Sequence, residues 1–305
     1  MKRFSIAVAL LVVAAVAVAA WGIVAPSGVA AGQAPQAKKP NLPALPAEVR
    51  SRGKWEIGVK CDTPPFGYIK DNTNGGYDVE VARRFAQLAF GNKSKVDLTC
   101  TTTQSRIPTL TSKRVDMIAS TLTWTAEREQ TIDYSIPYFG AAGKLLVKNS
   151  VQLGKLTTAL RGKTVVTTPG SIYDRWTNNC FKDTKLLVIG GPSNGVLAVK
   201  DGRADMMMYD DAFLIGVAAN DRDLKLTNHK FLTIPWGIGI RKGDTATKRW
   251  VDAAIRHMTK GDEFWKIMRR TVPRRFYPLF TKSVPRPKVK LAFPRGTVPE
   301  QACPR

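Results

Sequence analysis

Short apolar runs alternate with amphipathic stretches from about residue 55 to residue 270, and this alternation limits the chain to few architectures. Strand signals at residues 55–60, 95–100 and 115–120 are separated by helix signals at 77–90 and 105–113. In the first helix Val79, Ala82, Phe85 and Leu88 recur at helical spacing, with Asp78 as its expected N-cap. A strand–helix–strand order of this kind implies a parallel sheet covered by helices. The pattern then repeats. Strands are expected at 144–148, 163–168, 186–189 and 205–209, and helices at 171–180, 194–201 and 211–219. A last strand at 236–241 precedes helices at 245–259 and 262–270. Two similar α/β lobes therefore follow one another.

One strand signal leads into a cluster with ligand chemistry. Val115, Met117, Ile118 and Ala119 run into the hydroxyls of Ser120, Thr121 and Thr123, followed by Glu127 and Arg128. In open α/β sheets ligands bind beyond the carboxyl ends of the strands. Arginine suits a carboxylate because its planar fork makes two parallel hydrogen bonds. The bland alternative for Arg128 is a surface ion pair with Glu127 or Glu129, which would contribute little.

The first segment is read as an address. Lys2 and Arg3 precede an uncharged Ala/Val-rich run, and no further charge appears before Lys38. This is the layout of a secretory signal over residues 1–31, with a small-residue cleavage site before Gly32. A retained membrane anchor is the alternative, since residues 5–24 are long enough to span a bilayer. Residues 32–50 are rich in Ala, Pro and Gln and read as a linker. Export permits disulfides. Cys61 and Cys100 end the first two strand signals, ends that a doubly wound sheet can place side by side, so they are expected to pair. Cys180 and Cys303 are the remaining pair. His229 and His257 share no ligand spacing with the cysteines, so neither a metal nor a cofactor is expected.

The formal net charge is +23, and without Lys2 and Arg3 the balance is 45 basic against 24 acidic residues, a net of +21. Such an excess can draw in anions. The basic residues are scattered, which favours a solubility role over a nucleic-acid partner.

The motifs, taken in order, resemble those of extracytoplasmic solute-binding proteins of polar amino-acid ABC importers, the family 3 solute-binding proteins. Arg106, Ile107, Pro108 and Leu110 match R-I-P-x-L, and Val115, Asp116 and Ile118 match V-D-x-I. Thr121, Thr123, Glu127 and Arg128 match T-x-T…E-R, and Asp133, Ser135, Pro137 and Tyr138 match D-x-S-x-P-Y. Gly58–Lys60 with Pro64–Gly67, Gly76–Glu80, Thr168–Ser171, Gly202–Asp205 and Asp210 continue the match. The resemblance implies a two-lobed periplasmic binding protein fold of type II, joined by two crossings near residues 140–144 and 232–237. One lobe would comprise residues 51–140 and 235–275, and the other residues 141–234. Residues 276–305 would be an extended, basic, proline-rich tail.

The same resemblance assigns roles. Arg128 would clamp the α-carboxylate of a free amino acid, helped by Thr121 and Thr123. The turn Thr168–Ser171 would meet that carboxylate from the second lobe through Ser171 and Ile172, using helix-start N–H groups. Ile172 stands where the family often has a second hydroxyl, so only a backbone contact would survive there. Asp210 would accept the α-ammonium, with Asp211 free to cap the next helix. Lys60 and Arg106 resemble the glutamate/aspartate-binding branch, in which such cations face the side-chain carboxylate; an arginine before I-P is also a structural residue in other members. Phe66 would wall the pocket. The implied protein is a monomeric periplasmic receptor that delivers its amino acid to an inner-membrane permease, with no nucleic-acid partner. The rival classes are a periplasmic dehydratase on the same fold, for which no poised acid–base constellation is visible, and a membrane-tethered sensor domain.

Overall fold

The computed structural model describes residues 40–304. The expected export signal at 1–31 and the first part of the linker lie outside the described residues. The linker ends at a short helix, Ala47–Arg52, and Leu42 and Leu45 pack on the core. Among the described residues no helix is long and apolar enough to cross a membrane.

Two five-stranded sheets account for the alternation in the sequence. The first has the order Val96–Thr101, Trp55–Lys60, Met117–Ala119, Trp236–Arg241, Ile132–Phe139. Trp55–Lys60 pairs in parallel with both of its neighbours, whereas Trp236–Arg241 pairs antiparallel on both sides. The second sheet repeats the plan as Lys185–Val188, Thr164–Thr167, Met206–Asp210, Gly143–Lys148, Leu224–Leu226. Here Gly143–Lys148 is the antiparallel member. In each sheet four of the five strands therefore run in one direction, and the odd strand directly borders a passage of the chain between the sheets. Those passages fall between Phe139 and Gly143 and between Leu226 and Trp236.

The helix Tyr77–Phe90 shows how sequence dictates element and packing together. Val79, Val81, Ala82, Phe85 and Ala86 are buried on the first sheet, and Gly91 ends the helix in the left-handed region. Asp78 does not cap it; Gly76 holds the N-cap position, and Asp78 is a buried carboxylate inside the first turn. Trp55, Phe85 and Trp250 form an aromatic contact set in the same core. Full burial of side chains of this size contributes roughly 1.5–3 kcal/mol each.

Other features had no clear trace in the sequence. A three-stranded ribbon of Asp62–Thr63, Gly67–Lys70 and Thr73–Gly75 folds over the end of the first strand. A Cβ at Gly67 would collide with the Lys60 carbonyl oxygen, so only glycine lets the ribbon close down on Lys60. The tail is not uniformly extended either: it has short helical turns at Arg274–Phe276, Tyr277–Phe280 and Pro299–Gln301. The local cause is aromatic, as Phe276 and Phe280 are buried against the first lobe. Both expected disulfides are present, Cys61–Cys100 and Cys180–Cys303.

Candidate ligand-binding site

The carboxyl ends of the two sheets face each other across a small, nearly closed cavity. Thr103, Arg106, Thr121 and Thr123 line it from the first sheet's side, and Ser171, Ile172, Tyr173, Tyr209 and Asp210 from the second. Six residues expected at the site are thus brought together: Arg106, Thr121, Thr123, Ser171, Ile172 and Asp210. Lys60 and Arg128 lie at its margins. Phe66 does not line it. That ring is fully buried against Tyr77, Phe139 and Trp236, where it packs the first lobe. A larger groove lies between the helix Thr245–Lys260 and the tail, away from these strand ends.

The threonine loop is held in a strained form. Thr121 has φ +47°, a left-handed conformation unusual for a non-glycine residue. Two buried charges fix it. Thr121 N–H donates to Asp78 Oδ2 at 2.9 Å, and Arg106 Nη1 donates to the carbonyls of Ser120 and Thr121 at 2.6 and 2.9 Å. A residue held in this region persists only where its surroundings over-determine it, as these contacts do. Tyr138 donates to the other oxygen of Asp78 at 2.9 Å. Burial nonetheless pushes the Asp78 carboxyl up to about 7. Arg106 is therefore partly structural, but its Nε is buried without a partner.

Arg128 opens the helix Ala126–Thr131, capped by the Thr125 side chain. Its Nη1 donates to Thr123 O and its Nη2 to Gly170 O, both at 2.8 Å, so its fork already joins the two lobes. Burial lowers it to about 10, with Arg106 adding to the effect, and it stays charged at neutral pH. Gly170 precedes the helix Ile172–Cys180. Ser171 caps that helix by accepting from Asp174 N–H at 3.1 Å. Ile172 and Tyr173 begin the helix, where N–H groups lack intrahelical acceptors.

Asp210 ends the strand Met206–Asp210, is buried, and accepts from the Tyr173 hydroxyl at 2.7 Å. Burial pushes its carboxyl up to about 6. Asp211 serves the backbone instead, its Oδ1 accepting from Ala142 N–H at 3.1 Å on the first passage between the lobes. Lys60 is fully buried, donates to Thr103 Oγ1 at 2.7 Å and lies 3.7 Å from Asp62. Burial, then Arg106, lower it to about 8.

Sequence reasoning missed Thr103, Tyr173 and Tyr209. Thr103 stands three residues before Arg106, which was the signal available. The tyrosines were hidden in runs that read as helix and core. No cluster of His, Cys, Asp and Glu among the described residues is arranged to hold a metal ion.

Two α/β lobes that present opposed charges at facing strand ends define a ligand-capturing receptor. Residues 56–272 match the model of bacterial extracellular solute-binding proteins, family 3, and the chain belongs to that family. The ABC transporter glutamine-binding protein GlnH of Bacillus subtilis is 28% identical over 240 residues, 78% of this chain and 86% of the relative. The L-glutamate/L-aspartate-binding protein of Pseudomonas aeruginosa is 28% identical over 262 residues, 81% of this chain and 83% of the relative. The solved solute receptor for L-cysteine of Neisseria gonorrhoeae has a TM-score of 0.70 at 26% identity, covering 75% of this chain and 94% of that one. As a member of that family the chain is a solute-binding protein of the amino-acid ABC-transporter kind and not an enzyme.

Proposed function

We propose that the protein captures a free acidic amino acid, glutamate or aspartate, for an ABC importer. It would be exported, act as a monomer in the periplasm, and hand its cargo to an inner-membrane permease. Identity does not choose among ligands, because the glutamine-binding and glutamate/aspartate-binding relatives are equally similar at 28%. The charges around the cavity support the acidic reading. An amino-acid head needs one fixed cation and one fixed anion, which Arg128 and Asp210 supply. Lys60 is a further cation, fully buried beside Thr103 of the cavity wall and matched only by the partly exposed Asp62 at 3.7 Å, and that observation carries the acidic assignment. A buried cation whose one acidic partner is long and partly exposed is costly, so a ligand carboxylate that pairs with Lys60 is favoured there.

Capture would proceed by closure. Arg128 and the threonines belong to one lobe and Ser171 and Asp210 to the other, so only the closed state offers all of them. Adding glutamate should lower the radius of gyration in small-angle scattering; an unchanged radius would contradict closure.

The pH dependence expected of ligand contacts follows from two of the shifted groups, Asp210 and Lys60; Asp78, pushed up to about 7, faces Thr121 N–H and the Tyr138 hydroxyl rather than the ligand. Asp210 must be ionised to accept an ammonium, so affinity for any bound amino acid should fall about tenfold per pH unit below about 6. Lys60 must be protonated to hold a side-chain carboxylate. Above about 8 the affinity for glutamate should fall faster than that for a neutral amino acid. Titration calorimetry between pH 5 and 9 with both ligands measures the two limbs; a glutamate profile flat below pH 6 would remove Asp210 from the site.

A further inference from the structure

After the helix Glu263–Thr271 the chain stays on the first lobe. Phe280 and Val284 are buried in its core. Ser283 O then accepts from Gly140 N–H at 2.6 Å, on the first passage between the lobes. Leu291 covers the same glycine, where a Cβ would lie 3.2 Å from Leu291 Cδ2. Phe293 stacks on Trp124 with centroids 5.8 Å apart and would lie 2.9 Å from a Cβ at Gly237, the second residue of the strand reached by the second passage. Arg295 pairs with Glu129 at 3.2 Å.

A few residues on, the same segment is attached to the other lobe. Gly296, Thr297 and Val298 are exposed. Trp176 Nε1 then donates to Ala302 O at 3.1 Å, Asn179 Nδ2 donates to Glu300 O at 3.4 Å, and Cys303 is bonded to Cys180. All three partners lie on the helix Ile172–Cys180, which starts at the site with Ser171 and Ile172. The helix also carries Arg175, whose Nη1 reaches Glu127 at 3.2 Å, next to the clamp residue Arg128.

We infer that residues 281–303 are a third connection between the lobes, closed covalently at Cys180–Cys303, and that this strap limits how far the cleft opens. The inference rests on the closure reading above. Two crossings alone leave one lobe free to rotate about the line through them. The strap adds a fixed point on a helix that must move away from Arg128 when the cleft opens. From Arg295 to Pro299 the chain spans four residues, and four residues reach at most about 14 Å. A restricted open state is closer to the bound one, so less freedom is lost when ligand closes the cleft.

Three full-length proteins test this by small-angle scattering without and with glutamate: the wild type, the Cys180→Ala/Cys303→Ala variant, and a variant that keeps both cysteines but carries a Gly/Ser insertion of about eight residues between Gly296 and Thr297. The insertion separates strap length from any loss of stability caused by removing a disulfide. The ligand-free radius should rise in both variants, the glutamate-bound radius should match wild type, and glutamate affinity should fall several-fold. A ligand-free radius in the insertion variant equal to that of wild type overturns the strap, whatever the ligand proves to be. Absence of compaction with glutamate in all three proteins overturns instead the closure-on-glutamate reading on which the strap rests.

Discussion

The Arg128→Ala protein should bind every amino acid at least a hundredfold more weakly than wild type. Removing one partner of a buried ion pair strands the other, at about 3–5 kcal/mol. At about 1.4 kcal/mol per tenfold, that loss corresponds to two or more decades in Kd. The loss should be uniform across ligands, because the α-carboxylate is common to all of them. Arg128 also ties Thr123 O to Gly170 O across the cleft, so the variant should close less readily even where residual binding remains. Arg128→Lys separates charge from geometry. It keeps the cation but loses the planar fork, and its affinity should fall between the two. Titration calorimetry on protein shown by circular dichroism to be folded provides the measurement; a loss under tenfold would exclude Arg128 as the clamp.

The Lys60→Met protein should lose a hundredfold or more in affinity for glutamate while losing little for any neutral amino acid that binds. The same energetics apply, now to the side-chain carboxylate. Stability should move the other way. Lys60 is fully buried, with Thr103 and the half-exposed Asp62 as its polar partners, and burial lowers its pKa to about 8. Because Asp62 is partly exposed and can be rehydrated, losing its partner costs little, and removal of the desolvated cation offsets that cost. Equal or higher thermal stability with a selective loss of glutamate would mark Lys60 as a reader of the ligand. A fall in stability with equal losses for all ligands would make it a structural residue.

Legibility in the sequence followed physical periodicity. The helix Tyr77–Phe90 and the strands Trp55–Lys60 and Trp236–Arg241 coincide with their expected bounds, because buried faces impose a regular spacing on apolar residues. The strand Ile132–Phe139 was overlooked, since Asp133, Ser135 and Pro137 interrupt its apolar pattern. The ribbon over Lys60 depends on a close approach at Gly67 that no local pattern announces. Asp78 looked like a cap because acids favour helix starts; tertiary structure uses it to pin Thr121 instead. Phe66 looked like a pocket wall because an exposed aromatic and a core aromatic are the same letter. Tyr173 and Tyr209 carried the converse ambiguity. The tail gave least, as a proline-rich segment has no period, and Cys303 by itself says only that a partner could exist.

Whether the cleft takes an acidic amino acid is tested most directly by one titration. The mature protein would be unfolded and refolded to strip any carried ligand, then titrated calorimetrically at pH 7 with glutamate, aspartate, glutamine, histidine and arginine. The charge inventory predicts tight, saturable binding of glutamate or aspartate and at least a hundredfold preference over the other three. Tight binding of glutamine, histidine or arginine with none of the acidic pair would contradict it.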